Sequence, residues 1–306
     1  MSREETITIQ VPSVAAQLQL AGVAARLKHP LFSILRFEDL PPAAVTQRVR
    51  LISDLYQITL KKDCPCKLQY GQTPYDFGEG VMSFFAPKQV VILEPGAVLP
   101  AAGWLLLVHP DFLRGHPLSQ TINDYGFFEY AVNEALLLSA EEQDAIEGLL
   151  RQVEQEANRP LDHLSQAVLI LHLELLLTYC QRYVNRQFIT RKPNNHELLR
   201  KVELLLHQHF TQQDLLEGLP TVGLLAEQLH LSPKYLSDCL KQLTGQTAQQ
   251  LIHEKLLAHA KHVLTTTELA VSEIAYQLGF EYPQSFSKLF KNKTNQTPLE
   301  YRQSFN

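Results

Sequence analysis

Side chains able to do chemistry cluster in two short runs near the C-terminus. Lys234, Ser237, Asp238 and Lys241 fall in the first, and Pro283, Gln284, Ser285, Ser287, Lys288, Lys291 and Lys293 in the second. At helical spacing the apolar members of each run turn inward: Tyr235, Leu236 and Leu240 in one, Phe286, Leu289 and Phe290 in the other. The polar members are left on one outward face. Such a face suits planar hydrogen-bonding edges and phosphates, with Gln284 matching adenine, Lys288 guanine, and Lys291 and Lys293 phosphate oxygens. Each lysine taken singly reads equally well as a solvated surface charge, but the set shares a face. Asp238 repels phosphate and can instead accept from a cytosine amino group.

Other chemistries find no support in the residues. GxSxG, P-loop, HExxH and GxGxxG patterns are all missing from the sequence, so nucleophilic, phosphate-cradling and dinucleotide chemistry have no motif. His207-Gln208-His209 is an HxH, but in a predicted helix residues two apart diverge by roughly 200°. His29, His109 and His116 are each isolated. Cys64-Pro65-Cys66 reads as a turn with two ordinary thiols, the alternative being a soft-metal or oxidant-sensing pair beside Lys61, Lys62 and Lys67. No catalytic residue, metal or cofactor is expected.

The two runs belong to a pattern written twice between Thr221 and Arg302. Leu225-Ala226 matches Ile274-Ala275, Leu229 matches Leu278, Pro233 matches Pro283, Leu236 matches Phe286 and Leu240 matches Phe290, with one extra residue in the second turn. Each copy reads as a helix, a tight turn and a second helix. Ser232 before Pro233 is an N-cap followed by proline at the first helical position, and Gly279 suits the left-handed end of a helix. Helices this short bury little alone, so Ala248 to Leu264 is expected as a shared linker helix.

The second copy carries Ile274-Ala-Tyr-Gln-Leu-Gly-Phe, Phe286-Ser-Lys-Leu-Phe-Lys and Thr297-Pro-Leu-Glu-Tyr-Arg302. From Thr221 to its end the chain thereby resembles the DNA-binding domain of the AraC/XylS family of bacterial transcription regulators. That resemblance implies double-stranded DNA and RNA polymerase as partners, activation more often than repression, and a sensor barrel upstream. Relatives usually carry glycine where this chain has Asn295, and asparagine also tolerates the left-handed conformation. Asp238 stands where relatives are often basic, so contacts do not carry over directly there.

Upstream, segments 6–11, 31–37, 56–60, 81–85, 89–93 and 103–108 read as short strands separated by Gly/Pro clusters. The expected fold class is α+β: an N-terminal antiparallel β-barrel, cupin-like, with helices, and an all-α C-terminal domain of two helix-turn-helix motifs joined by a linker helix. Residues 1–135 would be the sensor barrel, 136–190 a helical region for dimerisation or packing, and 191–306 the DNA-binding domain, with 186–195 as linker. A small effector is expected in the barrel, at residues the sequence does not reveal. Tyr70, Tyr75, Phe77, Phe84, Phe85 and Trp104 read as core before ligand shelf.

Ser139-Ala-Glu-Glu is a capping box opening a helix to about Asn158. Pro160-Leu161-Asp162 opens another, to about Gln187, on which Leu164, Val168, Leu171 and Leu175 lie at heptad-like spacing. That seam serves either a homodimer or packing within the chain.

The 306 residues are 45% hydrophobic and 19% charged, an ordinary globular balance for two domains. No run approaching a roughly 20-residue membrane span and no signal peptide is read, so the expected location is the cytoplasm, without a membrane partner. Four cysteines without a CxxC argue against a disulfide framework. Acidic excess lies upstream: 15 basic and 21 acidic residues up to Thr190, against 12 and 11 from Arg191 onward. Seven of the twelve histidines lie in the latter part, so protonation below neutral pH would add positive charge there. The competing reading is an effector-binding or enzymatic barrel whose helical tail makes protein contacts only.

Overall fold

The computed structural model describes residues 6–23, 28–41, 45–62, 69–70, 73–74, 80–97, 100–130, 134–190, 192–211 and 218–304. Cys64-Pro65-Cys66, Lys67, Tyr75 and Phe77 lie outside the described residues, as does the side chain of Tyr70. The chain forms two compact units, Met1–Gln187 and Phe188–Asn306.

In the first unit β1 (Ile7–Val11), β3 (Val49–Ser53) and β8 (Val90–Leu93) make one sheet in the order β1-β3-β8, with α1 (Val14–Leu20) between β1 and β2 (Phe32–Arg36). A second sheet runs β10-β7-β4-β9-β2, from β4 (Tyr56–Lys62), β7 (Val81–Phe85), β9 (Ala102–Val108) and β10 (Leu136–Leu137). The short pair β5 (Gln69–Tyr70) and β6 (Thr73–Pro74) stands apart, and α2 (Leu118–Thr121) lies among 3-10 turns between 110 and 129.

All six expected strands are present, but the cupin-like antiparallel barrel is not. Among the described residues the sheets stay open, each with its own edge strands. A barrel is a sheet whose first and last strands pair, and the described strands divide among separate sheets whose ends do not meet. Nor is pairing wholly antiparallel: β1 and β3 run parallel, Ile7 opposite Val49 and Val11 opposite Ser53. The chain leaves through α1 and β2 before returning, which is the crossover that parallel pairing requires.

The central strands β4, β7 and β9 are buried almost throughout because both faces are covered. Val11, Val14, Leu18, Phe37, Leu55, Leu105 and Leu107 form one core. Elsewhere Phe84 packs on Phe127 with ring centroids 4.3 Å apart, and Phe127 on Phe128 at 5.3 Å. Trp104 is buried beneath the Arg36 guanidinium, 4.5 Å from the ring centroid, and Arg36 is paired with Glu154 at 2.6 Å. Phe84 and Trp104 are thus core, and Phe85 is half-buried.

Helix α3 (Ala140–Ala157) opens on the expected capping box, with Glu142 N–H donating to Ser139 Oγ at 3.3 Å and Ser139 N–H to Glu142 Oε2 at 3.0 Å. Helix α4 (Ser165–Thr190) starts later than expected. Asp162 Oδ1 accepts from Leu164 N–H at 2.8 Å and from Ser165 Oγ–H at 3.1 Å, holding a turn, so Leu161 and Leu164 precede the helix. By length and composition alone Ser165–Phe188 qualifies as a membrane span, against the expectation of none. Leu169, Ile170, Leu173, Leu176, Leu177, Cys180 and Val184 are nevertheless buried within the unit, as in a core helix. The stretch 186–195, expected as linker, is helical on both sides of residue 191, which lies outside the described residues.

The second unit holds α5 (Lys192–Thr211), α6 (Val222–Gln228), α7 (Pro233–Thr244), α8 (Ala248–Thr266), α9 (Val271–Gln277), α10 (Pro283–Thr294) and α11 (Pro298–Gln303). One core joins both copies: Leu225, Ala226, Leu236 and Leu240 from the first and Ile274, Ala275, Leu278, Phe286 and Phe290 from the second, on Leu251, Ile252, Leu256, Ala260 and Leu264 of α8. Val202, Leu206 and Phe210 of α5 close it from another side.

The duplication reaches further than the apolar pattern. Thr244 Oγ1 donates to the Leu240 carbonyl and accepts from Gln246 N–H, and Thr294 Oγ1 does the same with Phe290 and Gln296. Helices α7 and α10 both end on a left-handed residue, Gly245 at φ 73° and Asn295 at φ 60°. Capping boxes then open the next helices, Thr247 with Gln250 and Thr297 with Glu300.

Gly279 sits at φ +87°, and a Cβ there would run into the Gly218 carbonyl, whereas a Cβ on Gly245 meets nothing within 4 Å. Gly279→Ala is expected to lower stability by about 1–3 kcal/mol and Gly245→Ala by about 1 kcal/mol, as read by denaturant unfolding of the full chain. Equal losses would remove the steric part of this account.

Candidate nucleic-acid interface

Two helices with charged outward faces, α7 and α10, are held by the same device. In each, residues at helical spacing are buried: Tyr235, Leu236, Cys239 and Leu240 in α7, Phe286 and Phe290 in α10. Of these, Leu236, Leu240, Phe286 and Phe290 join the core shared with α8, and Tyr235 packs on Phe188 with centroids 5.3 Å apart. Leu289 is half-buried beside them. A seven-residue helix precedes each, α6 and α9. Thr221 caps α6 by accepting from Leu224 N–H at 3.1 Å, and the Glu273 carboxylate accepts from Ala270 N–H at 2.6 Å at the start of α9. The turns pass through left-handed residues, His230 at φ 55° and Gly279 at φ 87°.

On α10 Gln284, Lys288 and Lys291 lie along one solvent face, whereas Lys293, nine residues after Gln284, falls on the opposite side of the helix, within electrostatic reach of His253 on α8. Gln284, Ser285, Lys288, Lys291 and Lys293 are exposed, while Pro283 and Ser287 are half-buried. Among the described residues none of these lysines is in an ion pair. Lys291 and Lys293 stand in the last turn, where the negative end of the helix dipole favours cations.

On α7 the face differs. Lys234, Ser237 and Asp238 are half-buried and Lys241 is exposed. Lys234 Nζ lies 3.3 Å from Asp238 Oδ1, one helical turn away. Ser237 Oγ donates to the Pro233 carbonyl at 2.7 Å. The first helix therefore presents a compensated pair and one further cation, whereas the second presents three cations and an amide.

Two large side chains that sequence reasoning passed over stand at the second motif: Tyr276 is 51% and Tyr282 60% exposed. Arg302, named only as part of the sequence pattern, donates from Nε to the Leu264 carbonyl at 3.0 Å and from a terminal nitrogen to the Leu269 carbonyl at 2.7 Å. It ties down the end of α8.

The proposed seam residues divide. Leu171 and Leu175 are 59% and 44% exposed on α4, Val168 is half-buried, and Leu164 is 55% exposed in the preceding turn. In the first unit a cavity of about 10 Å³ lies between Ser83, Phe84, Phe127, Tyr130, Glu134 and Gln187. That is room for one water, and Ser83 Oγ, buried there, has no hydrogen-bond partner.

Histidine charge is less available than composition implies. Burial, and more weakly His262 and His207, hold His259 below the ordinary imidazole value, and burial with Lys293 does the same to His253. His259 stacks on Phe210, centroids 5.7 Å apart. Among the described residues no group of three or more His, Cys, Asp or Glu is placed to hold a metal.

A lowered imidazole value means the unfolded chain takes up protons that the folded one refuses. Stability is then full near neutrality and falls as pH drops below roughly 6.5. Thermal melts of the full chain from pH 7.5 to 5.5 should show that fall, and His259→Gln should shallow it. A melt independent of pH over this range contradicts the assignment.

A family model described as a helix-turn-helix domain matches residues 225–304. The HTH-type transcriptional activator RhaS of Salmonella dublin is 26% identical over 255 residues, 82% of this chain and 86% of that protein. RhaS of Salmonella schwarzengrund is 36% identical over 110 residues, 36% of this chain and 37% of that protein. Among solved structures, the C-terminal domain of AraT, a response regulator from Geobacillus stearothermophilus, aligns at 32% identity with a TM-score of 0.31, over 35% of this chain and 84% of that one.

Proposed function

Because the chain belongs to the AraC/XylS family of DNA-binding transcription regulators, we propose that it is a sequence-specific transcriptional activator in which α7 and α10 enter successive major-groove segments of one DNA face. The observation that carries this reading is the outward face of α10, where Gln284, Lys288 and Lys291 stand exposed over the buried Phe286 and Phe290. An amide and a lysine early in such a helix read base edges, and later cations meet phosphates. RNA polymerase is the further partner that activation requires, and the cytoplasm the place of action. The residues support no catalytic role.

In this reading the second motif supplies most of the phosphate anchoring. Lys234 and Asp238 neutralise one another, so the first motif contributes selectivity more than charge. The chain works as a homodimer through the exposed leucines of α4, with Leu171 and Leu175 at the centre and Leu164 at the rim. The N-terminal unit takes a small effector. Its site is not assigned to the water-sized cavity beside Ser83, and regulation is a population shift, the effector binding the DNA-competent arrangement more tightly than the other.

Gel-shift titration of the full chain across salt separates this from a helical tail that makes protein contacts only. Affinity for a preferred duplex should fall steeply as salt rises. Lys288→Ala should weaken the preferred duplex by about 1–3 kcal/mol more than a random one. Equal losses on both would reduce Lys288 to a phosphate contact, and no binding at any salt would end the regulator reading.

The dimer is tested by mass in solution. Leu171→Glu should halve the particle mass while leaving the melting of the chain nearly unchanged, since this side chain is exposed. An unaltered dimeric mass places the seam elsewhere.

A further inference from the structure

The duplication supplies an internal reference for the residue that opens each outward helix. In the first copy Ser232 holds that position, and its Oγ accepts from Tyr235 N–H at 3.2 Å. The matching residue in the second copy is Tyr282, also in extended conformation at φ −127°, and its side chain makes no capping hydrogen bond. Only its carbonyl serves the turn, accepting from Ser285 N–H at 2.9 Å. The chain thus gives up at α10 a bond it makes at α7, and puts there an aromatic ring that is 60% exposed. Serine, threonine, aspartate and asparagine are the residues that stabilise such a position. An exposed ring adds little to the core, so fold stability accounts for neither half of the exchange. Departures from local rules of this kind gather where function overrides stability.

The surroundings indicate which function. Tyr282 immediately precedes Pro283 and Gln284, and Gln284 and Ser285 are exposed in the first turn of α10. The first turn of a recognition helix is the part that meets base edges. A tyrosine ring there carries no charge and offers an apolar face, whose partner in the major groove is the C5-methyl of thymine. Gln284 beside it matches adenine, and every adenine brings a thymine in its own base pair.

We propose that Tyr282 is a specificity-determining residue of the second motif, reading a thymine methyl through its ring on the base pair read by Gln284 or the one adjoining. This rests on the DNA-binding reading above and adds to it a residue and the base it selects.

The test uses the full chain and a duplex that the wild type selects from a random-sequence pool. Tyr282→Ser restores the missing cap, so its melting temperature should rise by a few degrees. Its affinity for the selected duplex should nevertheless fall about tenfold. Tyr282→Phe keeps the ring and should bind within about threefold of wild type. Replacing one thymine of the duplex by deoxyuridine should weaken wild type to the level of Tyr282→Ser and leave that variant unaffected.

Binding by Tyr282→Ser equal to wild type overturns the proposal. So does a loss on Tyr282→Phe as large as on Tyr282→Ser, which would place the contact in the hydroxyl, or indifference of wild type to every deoxyuridine. A wild type that enriches no duplex is a separate failure, since it removes the regulator reading and this one with it.

Discussion

The C-terminal unit depends on one helix that must serve two masters. Helices α6 and α9 are seven residues each, well below the length at which a helix is stable in water. Neither holds without burial of its apolar stripe. The second helices, α7 and α10, bring larger stripes, but each is apolar on one side only. Helix α8 closes both copies at once, through Leu251, Ile252, Leu256, Ala260 and Leu264. Its 19 residues make a rod about 28 Å long, of the order of the about 34 Å that separate successive major-groove segments on one face of DNA. Arg302 bonding to the Leu264 and Leu269 carbonyls fixes its far end.

Much of that unit was legible because its signals are local. Leu225-Ala226 and Ile274-Ala275 at fixed distances from Pro233 and Pro283 locate the helices, and Ser232 and Gly279 locate the turn. Asn295 was legible through its tolerance of the left-handed conformation. The further repeat, Thr244-Gly-Gln-Thr and Thr294-Asn-Gln-Thr, was in plain view, yet its bonds run from side chain to backbone and leave no apolar periodicity to find. Lys234 and Asp238 are four apart, so their pairing was readable too. Treating each as an independent outward group concealed it.

The N-terminal unit was legible as six of its strands and not as a sheet, and β3, which joins β1 to β8, was not read. Strand existence follows from alternation and β-branched content, whereas partners are chosen by contacts distant in sequence. Nothing local in Ile7–Val11 announces Val49–Ser53 as a parallel neighbour. The two-turn helix Val14–Leu20 buries only Val14 and Leu18, too few positions to establish a period. At the start of α4 the spacing misled, because Leu161 and Leu164 continue the heptad pattern of Val168, Leu171 and Leu175. Asp162 captures the Leu164 N–H and the Ser165 hydroxyl there, and a side chain that satisfies local donors competes with helix extension. A hydrophobic period reports which face is apolar, not where the backbone becomes helical.

The inequality of the two copies has an electrostatic consequence under the regulator reading. A half-exposed lysine–aspartate pair one turn apart contributes roughly 0–1 kcal/mol, so the Lys234–Asp238 bridge is readily given up. Lys234 can then turn toward phosphate, which is offered at every sequence, while Asp238 loses that cation. Lys288, Lys291 and Lys293 are in no ion pair among the described residues, so they have no such bridge to give up, and phosphate is offered at every step of the duplex. Under this reading, charge that any site can meet is supplied mainly by the second copy.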